Sequence, residues 1–256
     1  MKASTRKIIA GKKGELEVFN ILEKIDNKVL IPDLPYEFES AFQHSSHQID
    51  HVLITLKNIY LIEVKSYRKV LEFGYDDENW VIEYHKTGVK ERKRNGIDNP
   101  ILQNRNHRIS FLQKINQIPR NHILAISVVL SETDITYGKK WRMITETDFL
   151  VKPEYLQEFI EKYEDESQEI IDLETIVREI YCLQNISQYN HIKYCEQIKK
   201  VKKYLKTRKD LDFNQLQFQK KTCNCGSKMY IRCGNNLNSV FWGCSSYPKC
   251  DNIEKI

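Results

Sequence analysis

The chain has 256 residues, enough for one large domain or for a medium domain and a small module. Its composition, 41% hydrophobic and 29% charged, is ordinary for a protein that buries a core, and no apolar run reaches the roughly 18 residues of a membrane span. A net charge of +5 permits a polyanionic partner without requiring one. The N-terminal residues lack the apolar core of a signal peptide, so we expect a cytoplasmic protein with reduced thiols and no membrane partner.

The first predicted elements are a helix and three strands. Apolar residues recur on one helical face over residues 12–25. Apolar runs then predict strands at residues 29–34, 48–56 and 59–66. Residues 75–96 are polar and rich in turn residues.

A second helix is predicted to begin at Pro100, a residue that suits the first helical turn, with Asp98 or Asn99 as its N-cap. Residues 122–131 have the pattern of another buried strand, and residues 141–145 that of a short one. The order helix, three strands, helix, strand predicts an α/β domain over residues 1–152.

The composition changes after Pro153. Residues 154–174 hold nine acidic residues and one lysine on a helical pattern, whereas residues 199–209 hold seven basic residues and no acid. We predict a helical spacer over residues 153–219 and a small terminal module over residues 220–256. The basic run is either a set of phosphate contacts or a solvated helix face.

Three charged residues interrupt the two apolar runs of QIDHVLITLKNIYLIEVKS. If Lys57 and Asn58 form a two-residue hairpin turn, Asp50 lies opposite Lys65, and Val52 lies opposite Glu63. Side chains alternate along a strand, so the three charges then share one face of the sheet.

Two carboxylates at this separation repel each other unless a proton or a cation lies between them. Mg²⁺ accepts one or two carboxylates and keeps waters at its other positions, so Asp50 and Glu63 are candidate ligands for Mg²⁺ or Mn²⁺. Lys65 is placed to orient a water nucleophile or to stabilise charge on a phosphoryl group. The spacing equally allows a structural Asp50–Lys65 salt bridge.

Four segments of the chain, GKKGELEV, QIDHVLI, IYLIEVKS and NPILQN, together resemble the nuclease-related domain (NERD) family of the PD-(D/E)xK, restriction-endonuclease-like superfamily. The resemblance runs from about Gly11 to Leu130 and implies a restriction-endonuclease-like fold, a mixed β-sheet flanked by helices. It implies that Asp50 and Glu63 are metal ligands, that Lys65 is the catalytic lysine, and that Glu15 completes the site. For Glu15, a carboxylate that stabilises the start of the helix is the alternative.

The resemblance also matches Gln103 to a glutamine of the second helix, with a role in supporting the site or the substrate backbone; a glutamine of the helix surface is the alternative. His107 lies one turn later, where a packed histidine is the alternative. Ile49 stands where the superfamily name has proline, a departure that is frequent in the nuclease-related family. His51 is predicted to point to the opposite face of the sheet from Asp50.

Five of the seven cysteines lie between Cys223 and Cys250, which in a reducing compartment predicts a metal site. The predicted zinc ligands are Cys223, Cys225, Cys244 and Cys250. The stretch FWGCSSYPKC resembles the topoisomerase-type four-cysteine zinc finger, which implies binding to DNA, largely to single strands. Here a Cys-x-Cys knuckle replaces the usual Cys-x-x-Cys, so Cys233 remains an alternative to Cys223.

Aromatic and cationic residues are interleaved in this module, a pattern typical of single-strand binding. The candidate DNA contacts are Tyr230, Arg232, Trp242, Tyr247 and Lys249, with Phe241 expected in the module's core. Together these features predict a metal-dependent nuclease that hydrolyses DNA and carries a small C-terminal zinc ribbon. A weakly active or non-catalytic DNA-binding adaptor is the alternative, and processing of RNA would use the same chemistry.

Overall fold

The computed structural model describes residues 3–42, 45–85, 92–115, 117–167, 171–183, 188–205, 208, 211–234 and 239–256. The chain divides into two compact units. The first unit comprises Met1–Leu34 and Gln48–Cys182, and the second comprises Pro35–His47 and Leu183–Ile256. None of the described helices combines the length and the apolar character needed to cross a membrane.

The chain up to residue 183 contains four α-helices and nine strands in its described part. In order, they are α1 (Ala3–Leu22), β1 (Val29–Glu37), β2 (Ser46–Ile54), β3 (Ile59–Ser66), β4 (Lys69–Glu72), β5 (Asn79–His85), β6 (Arg92–Asp98), α2 (Pro100–Leu112), β7 (Ile123–Leu130), β8 (Trp141–Met143), β9 (Asp148–Val151), α3 (Leu156–Glu166) and α4 (Leu173–Leu183).

A six-stranded mixed sheet has the strand order β1-β2-β3-β7-β9-β8. The β2–β3 and β8–β9 pairs are antiparallel, whereas β3, β7 and β9 are parallel to one another. Parallel strands need a long crossover connection, and α2 lies in the crossover from β3 to β7. The predicted α/β fold, a mixed sheet flanked by helices, is confirmed.

The two faces of β3 have different neighbours. Tyr60, Ile62 and Val64 belong to a buried cluster that also contains side chains of α1 and α3. The residues between them, including Glu63, point to the other face. There Asn104 of α2 donates hydrogen bonds from Nδ2 to the carbonyl oxygens of Leu61 (3.0 Å) and Ile126 (2.9 Å), which fixes α2 across β3 and β7.

The start of α2 follows the sequence prediction. Asn99 is the N-cap and accepts a hydrogen bond from the Ile101 N–H at 2.9 Å, and Pro100 occupies the first turn. The Asn99 side-chain amide also donates from Nδ2 to the carbonyl oxygens of Tyr75 (2.9 Å) and Asp77 (2.7 Å). The same side chain therefore begins the helix and holds the preceding loop.

Two local predictions need correction. Residues 75–96 contain strands that join β4 in a three-stranded sheet, β4-β5-β6, which the polar sequence of β6 did not indicate. Trp80 of β5 is fully buried in a cluster of the first unit that also contains Val70 and Ile101, and this packing compensates for the weak local pattern. Helix α1 begins at Ala3, nine residues before the predicted start.

The described part of the second unit contains two α-helices and an antiparallel four-stranded sheet. Its elements are α5 (Gln188–Leu205), α6 (Phe213–Gln217), β10 (Lys221–Thr222), β11 (Lys228–Cys233), β12 (Val240–Cys244) and β13 (Ile253–Lys255). Residues 199–205 of the predicted basic run lie in the C-terminal part of α5. Residues 206, 207 and 209 of that run lie outside the described residues.

Residues 35–47, which include the end of β1, the connection to β2 and the start of β2, are part of the second unit. The Ala41 N–H donates to the Gln217 carbonyl oxygen at 2.6 Å, and the Ile231 N–H donates to the Ala41 carbonyl oxygen at 2.6 Å. Phe38 and Phe42 are buried in the same unit. The domain boundaries predicted after residues 152 and 219 stay a prediction. The compact units divide at other positions, after Leu34, His47 and Cys182.

Candidate active site and metal centre

The β2–β3 hairpin has a four-residue connection, not the predicted two-residue turn. Ile54 lies opposite Ile59, and His51 lies opposite Ile62. The Thr55 hydroxyl accepts hydrogen bonds from the backbone N–H groups of Lys57 and Asn58, which stabilises the longer turn. The predicted register was therefore wrong by two residues.

A shift of two residues leaves every side chain on its predicted face. Continued by one residue beyond His51, the observed register places Asp50 opposite Glu63 and not opposite Lys65. Two acids thus replace the predicted acid–lysine pair at this position.

Glu63 is the most deeply buried charged residue of this face, with 1% of its surface exposed. Its Oε1 accepts hydrogen bonds from Lys65 Nζ and from Gln103 Nε2, the latter at 2.7 Å. Its Oε2 has no hydrogen-bond partner among the described residues. A buried carboxylate oxygen without a partner is costly, and a bound cation would satisfy it.

Asp50 lies beside the same strand. Its Oδ2 accepts a hydrogen bond from the Val64 N–H at 2.8 Å. Burial, with the charge of Glu63 as the next cause, raises the pKa of Asp50 to about 7. Burial also raises the pKa of Glu63 above its ordinary value. Without a cation, this pair of acids therefore favours binding a proton.

Lys65 forms a salt bridge with Glu63. Burial disfavours its charge, but the charges of Glu63 and Asp50 outweigh burial and raise the pKa of Lys65 above its ordinary range. The Lys65 side chain is 27% exposed, so its ammonium group is accessible beside the acids. The raised pKa keeps that group protonated.

Glu15 lies on α1, half-buried, and its charge is one of the causes that raise the pKa of Asp50 and Glu63. Its carboxylate binds Lys12 Nζ at 2.6 Å. Among the described residues, Glu15, Asp50 and Glu63 do not bring three ligand atoms within 4.8 Å of one another. The role of Glu15 as the residue that completes the site stays a prediction.

Helix α2 brings two side chains to Glu63. Gln103 donates to Oε1, and His107 Nδ1 lies 3.5 Å from Oε2. His107 is buried, and burial together with the charge of Lys65 lowers its pKa to about 3, so the imidazole is neutral. A packed histidine was the alternative in the sequence. The position of His107, four residues after Gln103 on the same helix, is the sequence signal that both side chains face the same carboxylate.

His51 is on the opposite side of β2 from Asp50, as alternation along the strand predicts. Its Nε2 lies 3.1 Å from the Glu15 carbonyl oxygen, and its ring lies 6.1 Å from that of Phe19. The side chain therefore contacts α1 and does not face the acid pair.

In the second unit, the sulfur atoms of Cys223, Cys225, Cys244 and Cys250 all lie within 4.8 Å of one another. The Cys223–Cys250 and Cys225–Cys244 sulfur pairs are 3.7 and 3.5 Å apart. Four thiolates about 2.3 Å from a tetrahedral zinc ion stand about 3.8 Å from one another. The cluster is therefore compatible with a zinc ribbon.

Local structure shapes both cysteine knuckles. Gly226 has a φ of +84°, which favours glycine, and its N–H donates to the Cys223 carbonyl oxygen at 2.8 Å. Asn252 Nδ2 and the Ser246 N–H lie 3.3 and 3.4 Å from the sulfurs of Cys223 and Cys244. Cys233 is outside the cluster, so the geometry selects Cys223 as the fourth member.

The aromatic residues of this unit differ from one expectation. Phe241 was expected in the core, but Trp242 is the buried ring, with 4% exposure, and Phe241 is half-buried. Residue 242 follows the inward positions of β12, where Val240 and Cys244 are also buried. Trp242 is thus a core residue here. Tyr247 and Lys249 are exposed, whereas Tyr230 and Arg232 are half-buried.

Both candidate centres have donor sets that fit the predicted ions. Asp50 and Glu63 offer oxygen ligands to a hard cation such as Mg²⁺ or Mn²⁺, and the partnerless Oε2 of Glu63 is an available position. The four cysteines offer the soft donors that zinc prefers.

The family model of the nuclease-related domain matches residues 10–130 of the chain. This range contains α1 from residue 10, the β2–β3 hairpin, the whole of α2 and strand β7, and therefore Glu15, Asp50 and Glu63. No curated protein and no solved structure matches the chain.

Proposed function

We propose, from the match of residues 10–130 to the nuclease-related domain family, that the chain is a metal-dependent nuclease that hydrolyses phosphodiester bonds of DNA. The main support is the state of Glu63, which is 1% exposed, binds Lys65 and Gln103 through one oxygen, and leaves the other oxygen without a hydrogen-bond partner among the described residues. A purely structural salt bridge does not account for a buried second oxygen without a hydrogen-bond partner, and it does not need the neighbouring Asp50.

In this proposal Asp50 and Glu63 hold the ion. When bound, Mg²⁺ or Mn²⁺ supplies Lewis-acid chemistry that lowers the pKa of a coordinated water. Ion binding would also favour the carboxylate form of Asp50, whose pKa of about 7 in the ion-free site means that binding below about pH 7 would release a proton.

The remaining roles belong to side chains of the chain itself. Lys65, held by Glu63 and partly exposed, donates hydrogen bonds to the phosphoryl oxygens and offsets the charge that develops there. Gln103 keeps Glu63 in place through Oε1. Glu15 adds negative charge beside the acid pair, consistent with its predicted place in the site.

We assign zinc to the four cysteines of the second unit, where it holds the two knuckles together. Exposed Tyr247 and Lys249 then offer a stacking face and a phosphate contact, and half-buried Tyr230 and Arg232 are the weaker candidates. The second unit holds 14 basic and 7 acidic residues, whereas the first holds 26 and 28, so it supplies the attraction for a polyanion.

The test is a cleavage assay with zinc-loaded full-length protein and added Mg²⁺ or Mn²⁺. We expect Glu63→Gln and Lys65→Ala to lower the rate by about 100-fold or more, since each removes a group of the proposed site. Asp148→Asn is the matched control, because Asp148 is a buried acid of the same unit that binds Arg105 and not the site.

Cleavage that is equal in the wild type, Glu63→Gln and Lys65→Ala indicates a contaminating enzyme and rejects the proposal. In that case the excess of basic residues in the second unit favours the second candidate, a non-catalytic DNA-binding adaptor. Parallel assays on single-stranded DNA, duplex DNA and RNA define the substrate.

A further inference from the structure

Helix α2 contacts both oxygens of the Glu63 carboxylate. Gln103 Nε2 lies 2.7 Å from Oε1, and His107 Nδ1 lies 3.5 Å from Oε2. The two residues are four positions apart, so they stand one above the other on the same helix face. One helix therefore faces the whole carboxylate.

The contact at Oε2 matters because the other two hydrogen bonds share one oxygen. Lys65 and Gln103 both bind Oε1. The terminal torsion of a glutamate is broad, so contacts to a single oxygen leave the carboxylate plane able to turn about its Cγ–Cδ bond. A contact at Oε2 fixes the plane, and with it the direction in which Oε2 offers its lone pairs.

His107 is held firmly enough for this task. It is buried, with 3% exposure, and it follows Asn104, whose amide anchors α2 to the carbonyl oxygens of Leu61 and Ile126. A separation of 3.5 Å exceeds a hydrogen bond by a few tenths of an ångström, and contacts of this kind shorten when a site is occupied.

We propose that His107 is a positioning residue that fixes the Glu63 carboxylate for binding a divalent cation, by donating from Nδ1–H to Oε2. The inference rests on the proposed function, because it assumes that Glu63 is a ligand. It assigns to the chain a residue that neither touches substrate nor holds the ion but controls the ligand that does.

The experiment measures Mn²⁺ binding by electron paramagnetic resonance on zinc-loaded full-length protein. The Glu63→Gln variant gives the background level of Mn²⁺ binding. We expect His107→Leu to weaken Mn²⁺ binding by about 10- to 100-fold, the usual effect of losing a residue that orients a ligand. His107→Asn places an amide N–H close to the position of Nδ1, and we expect it to recover most of the affinity.

His122→Leu is the matched control. His122 is also a buried histidine of the first unit, with 6% exposure, and it directly precedes β7. Its Nδ1, however, lies 2.8 Å from the Lys57 carbonyl oxygen in the β2–β3 turn. We expect it to lose stability and keep the wild-type Mn²⁺ affinity. Thermal unfolding of each variant confirms that the binding data come from folded protein, and His107→Phe replaces His107→Leu if the latter does not fold.

The outcomes separate the two proposals. If the wild type binds no Mn²⁺ beyond the Glu63→Gln background, the proposed function fails. If the wild type binds and His107→Leu binds within twofold of His122→Leu, the role of His107 is rejected while the metal site stands. Equal losses in His107→Leu and His107→Asn would assign the effect to packing and would also reject it.

Discussion

At the residue scale, Asp50 shows how a residue of the proposed site can lower the stability of the folded protein. Burial and the nearby Glu63 raise its pKa to about 7, so the folded protein binds this proton more tightly than the unfolded chain does. The stability linked to Asp50 is complete below about pH 4, the ordinary pKa of an aspartate, and is lost as the pH rises through about 7.

The first prediction is that Asp50→Asn stabilises the protein free of Mg²⁺ and Mn²⁺ at pH 8. The asparagine oxygen still accepts the Val64 N–H, but no charge is buried. Thermal unfolding should shift upward by a few degrees, where each kcal/mol is worth roughly 2–4 °C for a chain of this size.

The same variant should show little or no shift near pH 4.5, and it should lose Mn²⁺ binding. A lower unfolding temperature for Asp50→Asn at pH 8 would contradict the burial of an unfavourable charge at this position.

The second prediction concerns Tyr247, which is 67% exposed beside the cysteine cluster. Tyr247→Ala should weaken binding of a single-stranded oligonucleotide by about 1–3 kcal/mol, the usual value of a base stacked on an aromatic ring. Tyr137→Ala is the control, since Tyr137 is a similarly exposed tyrosine of the first unit, with 61% exposure. Fluorescence anisotropy at fixed salt measures both, and equal affinities would remove Tyr247 from the interface.

At the element scale, α1 approaches the end of β3 closely at one glycine. A Cβ atom added to Gly14 would lie 3.2 Å from Ser66 Cβ, whereas a Cβ atom added to Gly11 meets no atom nearer than Glu15 Oε1 at 3.9 Å. Gly14 directly precedes Glu15, so the distance between α1 and β3 also sets the place of this acid.

The third prediction follows from this pair of glycines. Gly11→Ala should stabilise the protein by about 0.5–1 kcal/mol, because alanine costs less backbone entropy in a helix. Gly14→Ala should lose that gain, since Ser66 must move, and should lower metal-dependent cleavage several-fold. Chemical denaturation and the cleavage assay measure the two effects, and equal behaviour of both variants would show that the approach at Gly14 is unimportant.

At the scale of the whole molecule, the two candidate centres lie in different units, and the second unit includes the connection between β1 and β2. The cysteine module is therefore not a simple C-terminal appendage. Its partners include Ala41, whose carbonyl oxygen accepts a hydrogen bond from the Ile231 N–H, and Glu39, which binds Lys220 and Lys228.

The fourth prediction is that one zinc ion per chain depends on the four clustered cysteines. Cys244→Ser should abolish stoichiometric zinc and destabilise the second unit, because the knuckles lose their common ligand. Cys233→Ser is the matched control, since Cys233 lies on β11 of the same unit but outside the cluster. Zinc analysis by mass spectrometry measures both, and loss of zinc in Cys233→Ser would overturn the assignment.

The fifth prediction is that truncation after residue 182 exposes apolar side chains of the β1–β2 connection. Phe38 and Phe42 are buried in the second unit, with Phe38 close to Phe218 and Phe42 close to Phe213. We expect residues 1–182 to bind a hydrophobic dye and to aggregate, and Phe38→Ser with Phe42→Ser to restore solubility. A soluble truncation with no dye binding would contradict this packing.

Much of the site could be predicted from the sequence because it depends on local periodicity. Alternation along a strand places Glu63 and Lys65 on one face, and a shift of two residues in the hairpin does not alter this. The cap at Asn99 is likewise a local signal, because a side-chain oxygen satisfies backbone donors within its own turn. The clustering of cysteines indicated a metal site for a similar reason.

Only the tertiary structure decided the rest, since those features depend on residues distant in the chain. The hairpin register follows from a turn whose Thr55 and Asn58 bind Glu164 of α3, more than a hundred residues later. Folding of the chain also places His107 against Glu63, buries Trp242 in place of Phe241, and separates Cys233 from the other cysteines. Periodicity determines which face a side chain occupies, but contacts between distant segments determine what it meets there.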